Sequence, residues 1–371
     1  MARNIIRSNN AIVAAQEGLN TAFSTSNQNL SLHKIVQTLD YSIDYSRQQS
    51  KQIGSQDLAS NEMFNQPDVS LNISYIPEPN FSNEVQGRFL NSSPKDGFIN
   101  MFADNIYADS NYQDSNNFYV LVSENQEDSF IDSIPFWNLA NFDGDDVIAF
   151  GNCFPESYSL SYSIGDLPKV NTSYVCSNAI FEHLIGNSMD LPAINLTGGN
   201  NDNVGRCLFL FDPELSTVAL EKAPPIVNQT NAGSDVTLQN LQVGGQEISG
   251  RHLVQSVNMN VSMPRVSAYG LGNDYAYGRK KQFPARGTFA VSSQVSGFES
   301  GSMTGVLDSD QLYQFDLTLE ASGKSMIYRI EDAKLGSYNY SMDINGRMNF
   351  DANFTFEVTE DKGLKLSGTY Y

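Results

Sequence analysis

Apolar and polar side chains alternate with period two along several long stretches of the chain. From Ile35 to Tyr45 one set holds Ile35, Leu39, Tyr41, Ile43 and Tyr45, with Gln37 the exception; the other holds Val36, Thr38, Asp40, Ser42 and Asp44. From Met348 to Val358, Met348, Phe350, Ala352, Phe354, Phe356 and Val358 alternate with Asn349, Asp351, Asn353, Thr355 and Glu357. Tyr338, Tyr340, Met342 and Ile344 alternate with Asn339, Ser341 and Asp343. Such strands set one face on a core and the other in water. Asn345-Gly346 predicts the tight turn between the last two. Helical periodicity is weak. A short helix is expected from Ala11 to Glu17, capped by Asn10 and ended by Gly18. The fold class expected is mainly β: two tandem antiparallel β-sandwich or half-barrel domains with a short helix each.

The pattern occurs twice in the same order. Residues 32–43 align with 250–261 at an offset of 218, so that Ile35 meets Leu253, Gln37 meets Gln255, Leu39 meets Val257 and Ile43 meets Val261. Each block runs into a polar stretch, 47–66 or 265–282, closed by Pro67 or Pro284 and a second strand. Val69, Leu71 and Ile73 then match Gly287, Phe289 and Val291. Residues 157–164 align with 337–344 at an offset of 180, which also sets Val170, Thr172, Tyr174 and Cys176 on Phe350, Ala352, Phe354 and Phe356. The expected organisation is an N-terminal arm (1–29), a first copy (30–183) with an insertion at about 92–146, an inter-domain insertion (184–249), a second copy (250–360) and a C-terminal tail (361–371). A length of 371 residues agrees with two domains of ~150 residues each.

Charge changes the picture. The net charge is −20, with 42 acidic and 22 basic residues, which argues against a protein that grips nucleic acid by replacing its counterions. It leaves room for a surface past which nucleic acid slides. The polar sets above hold Ser, Thr, Asn, Asp and an occasional Glu; the basic residues Arg47, Lys51, Arg279, Lys280 and Lys281 gather in the polar stretches, with Arg286 at the end of the second. A water-filled passage for a polyanion would divide the charges this way. An ordinary acidic sheet fits the same composition.

No catalytic pattern emerges. His33, His183 and His252 are scattered, and the first and last read as a repeated strand-edge residue. No zinc spacing, phosphate loop, dinucleotide fingerprint or nucleophile elbow occurs. Asp143-Gly144-Asp145-Asp146 has the residue types of a calcium loop without its full spacing. Neither a metal, nor a cofactor, nor an enzyme activity is expected. Cys153, Cys176 and Cys207 imply no disulfide framework and suit a reducing compartment. No stretch has the ~18 apolar residues of a membrane helix, and the opening has too short an apolar run for a signal peptide. A soluble protein made in the cytoplasm is expected.

The strand of the 35–45 kind, the long polar stretch after it, the second strand after Pro67 or Pro284, and the closing hairpin 338–358 with Asn345-Gly346-Arg347 together resemble the tail tube proteins of tailed bacteriophages. The resemblance covers roughly 30–90, 150–183 and 250–360. It implies two packed antiparallel sheets with a flanking helix, six tube domains around a channel, and stacked rings. A chain with two domains would form trimeric, pseudo-sixfold rings. The implied partners are the chain itself, a tape measure protein and other tail proteins, a sheath if the tail is contractile, and genomic DNA passing without specific binding; the place is the virion tail, assembled in the host cytoplasm. Asp40, Asp44, Asn258, Asn260, Asp343, Asn349, Asp351 and Asn353 would line the channel, while Arg47, Lys51, Arg279, Lys280 and Lys281 would contact the next ring. A baseplate hub with two tube domains is the nearest alternative, and a carbohydrate-binding or carbohydrate-active β protein one from another class.

Overall fold

The computed structural model describes residues 11–17, 30–45, 47–51, 53, 58–63, 68–78, 81–87, 89–90, 99–101, 116–122, 146–163, 165–176, 178–183, 188–192, 206–210, 236–243, 246–247, 252–268, 278–282, 284–295, 312–321, 324–342, 348–359 and 363–368. The first half holds β1 (Ala11–Glu17), β2 (Leu30–Leu32), β3 (Val36–Asp44), β4 (Arg47–Lys51), β5 (Leu58–Met63), β6 (Asp68–Tyr75), helix α1 (Ser82–Gln86), β7 (Ile99–Asn100), β8 (Asn116–Val122), β9 (Asp146–Ser163), β10 (Lys169–Cys176) and β11 (Asn178–His183). A two-stranded ribbon follows, β12 (Ser188–Pro192) with β13 (Arg206–Leu210). The second half holds β14 (Val236–Val243), β15 (Gln246–Glu247), β16 (His252–Ser262), β17 (Arg265–Ala268), β18 (Gly278–Lys281), β19 (Ala285–Val295), β20 (Leu312–Ala321), β21 (Lys324–Met342), β22 (Met348–Val358) and β23 (Leu364–Gly368).

Eight strands form one antiparallel layer in the order β3-β6-β10-β9-β16-β19-β22-β21. Two strands in it are long, β9 with 18 residues and β21 with 19. Each carries a bulge, at Glu156 and at Gly336, and its N-terminal part pairs with other strands. There β9 pairs with β8 and β11, and β21 with β20 and β23. Ring contacts such as Phe118–Tyr174 (4.7 Å) and Phe315–Phe354 (4.6 Å) join these strands to the eight-strand layer across a shared core. The fold is mainly antiparallel β, as the alternation predicts.

The two halves share strand order and register. In β3–β6 Tyr41 faces Leu71; 218 positions on, in β16–β19, Met259 faces Phe289. Each ladder steps over one residue, Gln37 and Gln255. Gln37 breaks the alternation because it is the extra residue of a bulge, which shifts the faces by one. In β10–β9 Val170 faces Leu160; 180 positions on, Phe350 faces Tyr340, with the bulges at matching places. Outside the eight-strand layer, Phe118 faces Phe150 as Phe315 faces Ile330, and Ala14 faces Tyr119 as Gln239 faces Asp316.

Volumes compensate between the halves. Val69 faces Cys176, whereas at the matching place Gly287 faces Phe356. Tyr75 faces Val170, whereas Ser293 faces Phe350. A Cβ at Gly287 would collide with the Phe356 ring. Gly287→Val should therefore cost ~1–3 kcal/mol by overpacking, and Phe356→Cys should cost a cavity. Combined, they recreate the first half's pair, and the double variant should lose at least ~1 kcal/mol less than the two costs summed. Urea melts of the three variants measure this; simple additivity would mean that the pairs do not compensate.

Helix α1 lies beside a buried polar node. Glu84 Oε1 accepts hydrogen bonds from the hydroxyls of Tyr75 (3.0 Å) and Tyr158 (3.1 Å), and the Tyr158 hydroxyl lies 3.2 Å from that of Tyr328. Four elements, α1, β6, β9 and β21, meet there. Burial pushes the Glu84 carboxyl up to about 7, against the hydrogen bonds it accepts. β7 reaches from the first half to β23 of the second, with Ile99 facing Leu366 and the Met101 N–H donating to the Leu364 carbonyl at 2.8 Å.

Several expectations change. Ala11–Glu17 is a strand, β1, because β8 pairs with all seven residues and β2 with three of them; this sheet overrides the helix propensity of its alanines. Residues 11–17 are thus no terminal arm. Leu364–Gly368 is a sheet strand and not a tail. β14 pairs with β20, so residues 236–243 of the expected insertion belong to the second half's sheet. His33, expected as a strand-edge residue, is buried against Tyr75 and Phe118, and burial lowers its pKa to about 3. The expected helix of each half is seen in the first as α1. Its counterpart in the second, Asp145 of the acidic loop, and the turn residues 343–347 lie outside the described residues.

Candidate assembly face

Directly opposed residues of an antiparallel ladder share a face. One row across the eight-strand layer reads Asp40, Asn72, Ser173, Ser157, Ser262, Arg286, Glu357. Another reads Asn171, Ser159, Asn260, Thr288, Thr355, and a third Lys169, Ser161, Asn258, Ala290, Asn353, Ser337. These rows form one polar surface that crosses from the first half into the second at the β9–β16 ladder. The opposite face carries Leu71, Tyr174, Tyr158, Val261, Phe289 and Phe354, all buried.

Most of the candidate channel residues come together on this surface. Asp40, Asp44, Asn258, Asn260 and Asn353 are exposed, Asn349 and Asp351 half-exposed, and Asp343 lies outside the described residues. Short side chains bond across the strands and lie flat: Ser42 to Ser70 at 2.8 Å, Ser157 to Ser173 at 2.6 Å, Asn353 Nδ2 to Ser337 Oγ at 3.2 Å. The serines of β9 form the centre of the face. The alternation Ser157-Tyr158-Ser159-Leu160-Ser161-Tyr162-Ser163 carries this signal in the sequence, beside its match to the second half. The face is not free of cations, since Lys169, Arg286 and Lys334, which faces Thr355 of the second row, stand exposed on it.

The candidate stacking residues sit on paired strands and not in open loops. Arg47 and Lys51 are the ends of β4, paired with β5; Arg279, Lys280 and Lys281 belong to β18, paired with β17. The two ribbons match in register, Arg47 facing Met63 and Arg265 facing Lys281. Arg265 anchors its ribbon to the layer below: its Nε donates to the Pro155 carbonyl at 3.0 Å, and its guanidinium lies 5.3 Å from the Phe154 ring centre.

A cleft of about 540 Å³ lies between β19, β21 and β22, lined by Arg286, Asp332, Lys334 and Glu357 among others. Among the described residues its one aromatic lining residue, Phe356, is buried. Among the described residues no three His, Cys, Asp or Glu side chains are placed to hold a metal ion.

No family model and no curated protein matches the chain. Among solved structures it is similar to the SPP1 tail tube (TM-score 0.30, 10% identity, 49% of this chain and 81% of that one). It is also similar to a chain in the virion of a native gene transfer agent particle (TM-score 0.23, 14% identity, 37% and 98%). A third similar chain comes from the tail of an empty gene transfer agent particle (TM-score 0.26, 12% identity, 37% and 98%).

Proposed function

We propose that the chain is a virion structural protein that builds the tail tube of a tailed bacteriophage. It is a duplicated tube protein whose copies run over 11–183 and 236–368. Three chains close a ring of six such copies, and stacked rings make the tube. The observation that carries this reading is the eight-strand layer: two four-strand ladders of equal order and register, joined edge to edge, with one polar face on which short Ser, Thr, Asn and Asp side chains outnumber the cations Lys169, Arg286 and Lys334. A sheet that already repeats once by edge pairing has the edges that further copies need to continue it, and in this reading the continued sheet closes into a barrel. Its polar face lines the bore, and the ribbons β4–β5 and β17–β18 set the register between rings. Negative-stain images of the purified chain test the reading. Rings or tubes with a central hole are expected; monomers at high concentration, or solid filaments, would overturn it.

The bore passes DNA by not holding it. Carboxylates and amides repel or ignore phosphates, and at the ~8 Å screening length of physiological salt the repulsion is slight. The face already carries Lys169, Arg286 and Lys334 among its carboxylates, and further lysines in place of those carboxylates would tip the balance toward binding phosphate and add friction at every ring. The triple variant Asp40→Lys, Asp343→Lys, Asp351→Lys should fold and assemble, since Asp40 is exposed and Asp351 half-exposed. Its tubes should retain duplex DNA with an affinity that falls steeply between ~50 and ~200 mM salt. DNA retention equal to that of the parent would remove these residues from the channel.

A further inference from the structure

The layer ends in two edges. Among the described strands, β3 pairs only with β6, and over residues 335–342 β21 pairs only with β22. Each edge has a counterpart inside the chain that is covered. β3 corresponds to β16, and the C-terminal part of β21 to that of β9, and those two counterparts pair with each other: Val261 faces Tyr158 and Val257 faces Tyr162.

Exposure follows the same division. Tyr338 is 53% exposed where its counterpart Tyr158 is 0%, and Met342 is 73% where Tyr162 is 5%. Tyr41 is 41% where Met259 is 1%, and Tyr45 is 58% where Met263 is 0%. Phe181 on β11 is 53% where Leu366 on β23 is 0%. Large apolar side chains are thus bare at the outer edges and buried at the matching inner junction. Such an edge is a template for another strand.

We propose that β3 of one chain pairs antiparallel with residues 337–342 of a second copy, in the register that sets Ile43 opposite Tyr338 and Leu39 opposite Met342. This transfers the β9–β16 register to the outer edges. The backbone bond from the Met263 N–H to the Glu156 carbonyl (2.7 Å) recurs between chains from Tyr45 to Gly336. The partner is another copy because the inner junction already shows the pairing of these two strand types. The inference deepens the assembly reading above and rests on its claim that chains self-associate.

Cysteine pairs test it in a Cys207→Ser background, which leaves Cys153 and Cys176, both buried. Ser159 and Asn260 face each other inside the chain; Ser159→Cys with Asn260→Cys should form a link within one chain and serves as the internal standard. The matching pair, Asn339→Cys with Ser42→Cys, should on mild oxidation link different chains with comparable yield, seen as covalent oligomers in denaturing gels. The slipped pair, Ser341→Cys with Ser42→Cys, should link at least tenfold less. An internal link without an intermolecular one at 42 and 339, equal yield from the slipped pair, or monomers at every concentration would each overturn the register. Imaging the same samples separates this from the function: hollow tubes without the link would refute the register alone, and linked chains without a bore would refute the tube alone.

Discussion

Tyr158→Ala is expected to unfold the chain under conditions where Tyr338→Ala leaves it folded but slower to assemble, needing a higher concentration. The two tyrosines occupy the same place in the two halves. Tyr158 is buried, its ring 5.3 Å from that of Phe89, and its hydroxyl supports Glu84. Truncating a buried aromatic costs ~3–5 kcal/mol, and losing one donor to Glu84 adds to that. A cost of this size is a large part of the stability of an ordinary domain. Tyr338 in the isolated chain is a surface residue, so its truncation should move stability by no more than ~0.5 kcal/mol. In a ring of three chains the lesion occurs three times. Each seam loses part of the ~1.5–3 kcal/mol that burying such a side chain contributes, so the concentration needed for assembly should rise more than tenfold. Urea melts at low concentration and sedimentation at high concentration measure the two effects. Equal destabilisation of the isolated chain by both variants would show that the edges are not equivalent to the inner junction.

The second large effect depends on pH. Glu84 is fully buried, and its carboxyl titrates at about 7 in the folded chain against an ordinary value of 4.5. Between those values the folded chain holds a proton that the unfolded chain releases, so stability falls as pH rises. The loss begins above pH 4.5, is complete once pH passes 7, and amounts to roughly 3 kcal/mol. Glu84→Gln keeps an acceptor for Tyr75 and Tyr158 and cannot ionise. The stability difference between parent and variant should therefore swing by about that amount between pH 4.5 and pH 8, to the parent's disadvantage at the higher pH. His33 works in the opposite sense. Its pKa is lowered to about 3, so it destabilises the folded chain as pH falls from 6.5 toward 3. Taking the difference between parent and Glu84→Gln cancels that contribution. A difference that stays constant with pH would mean that Glu84 titrates normally.

The strands of the eight-strand layer were legible because one of their faces is wet. Alternation names the face of each residue, and the offsets of 218 and 180 follow from it. Gln37 was legible as an exception, but only the ladder explains it as a bulge matched at Gln255. The second-layer strands were not legible. Connections of different length reset the offset from strand to strand, and counterparts such as Ala11–Glu17 and Val236–Val243 share a place without sharing residues. The Glu84 node was invisible for another reason: its partners Tyr75, Tyr158 and Tyr328 are far apart in sequence and sit in ordinary strand patterns. The candidate face was read in outline from β3, β16 and β22. Its centre on β9 and its cations Lys169, Arg286 and Lys334 needed the order of the strands.

The crossing of β7 onto β23 has a mechanical consequence. Within a chain, the join between halves is held by the β9–β16 ladder, by the node that links Tyr158 to Tyr328, and by a length of polypeptide clasped onto the far half. The matching join between chains has no peptide bond across it. A closed ring would therefore alternate stiff hinges with soft ones, three of each. Under radial load the proposed ring would flex as a triangle and not as a hexagon, and on overload it would part at the soft joints into three whole chains.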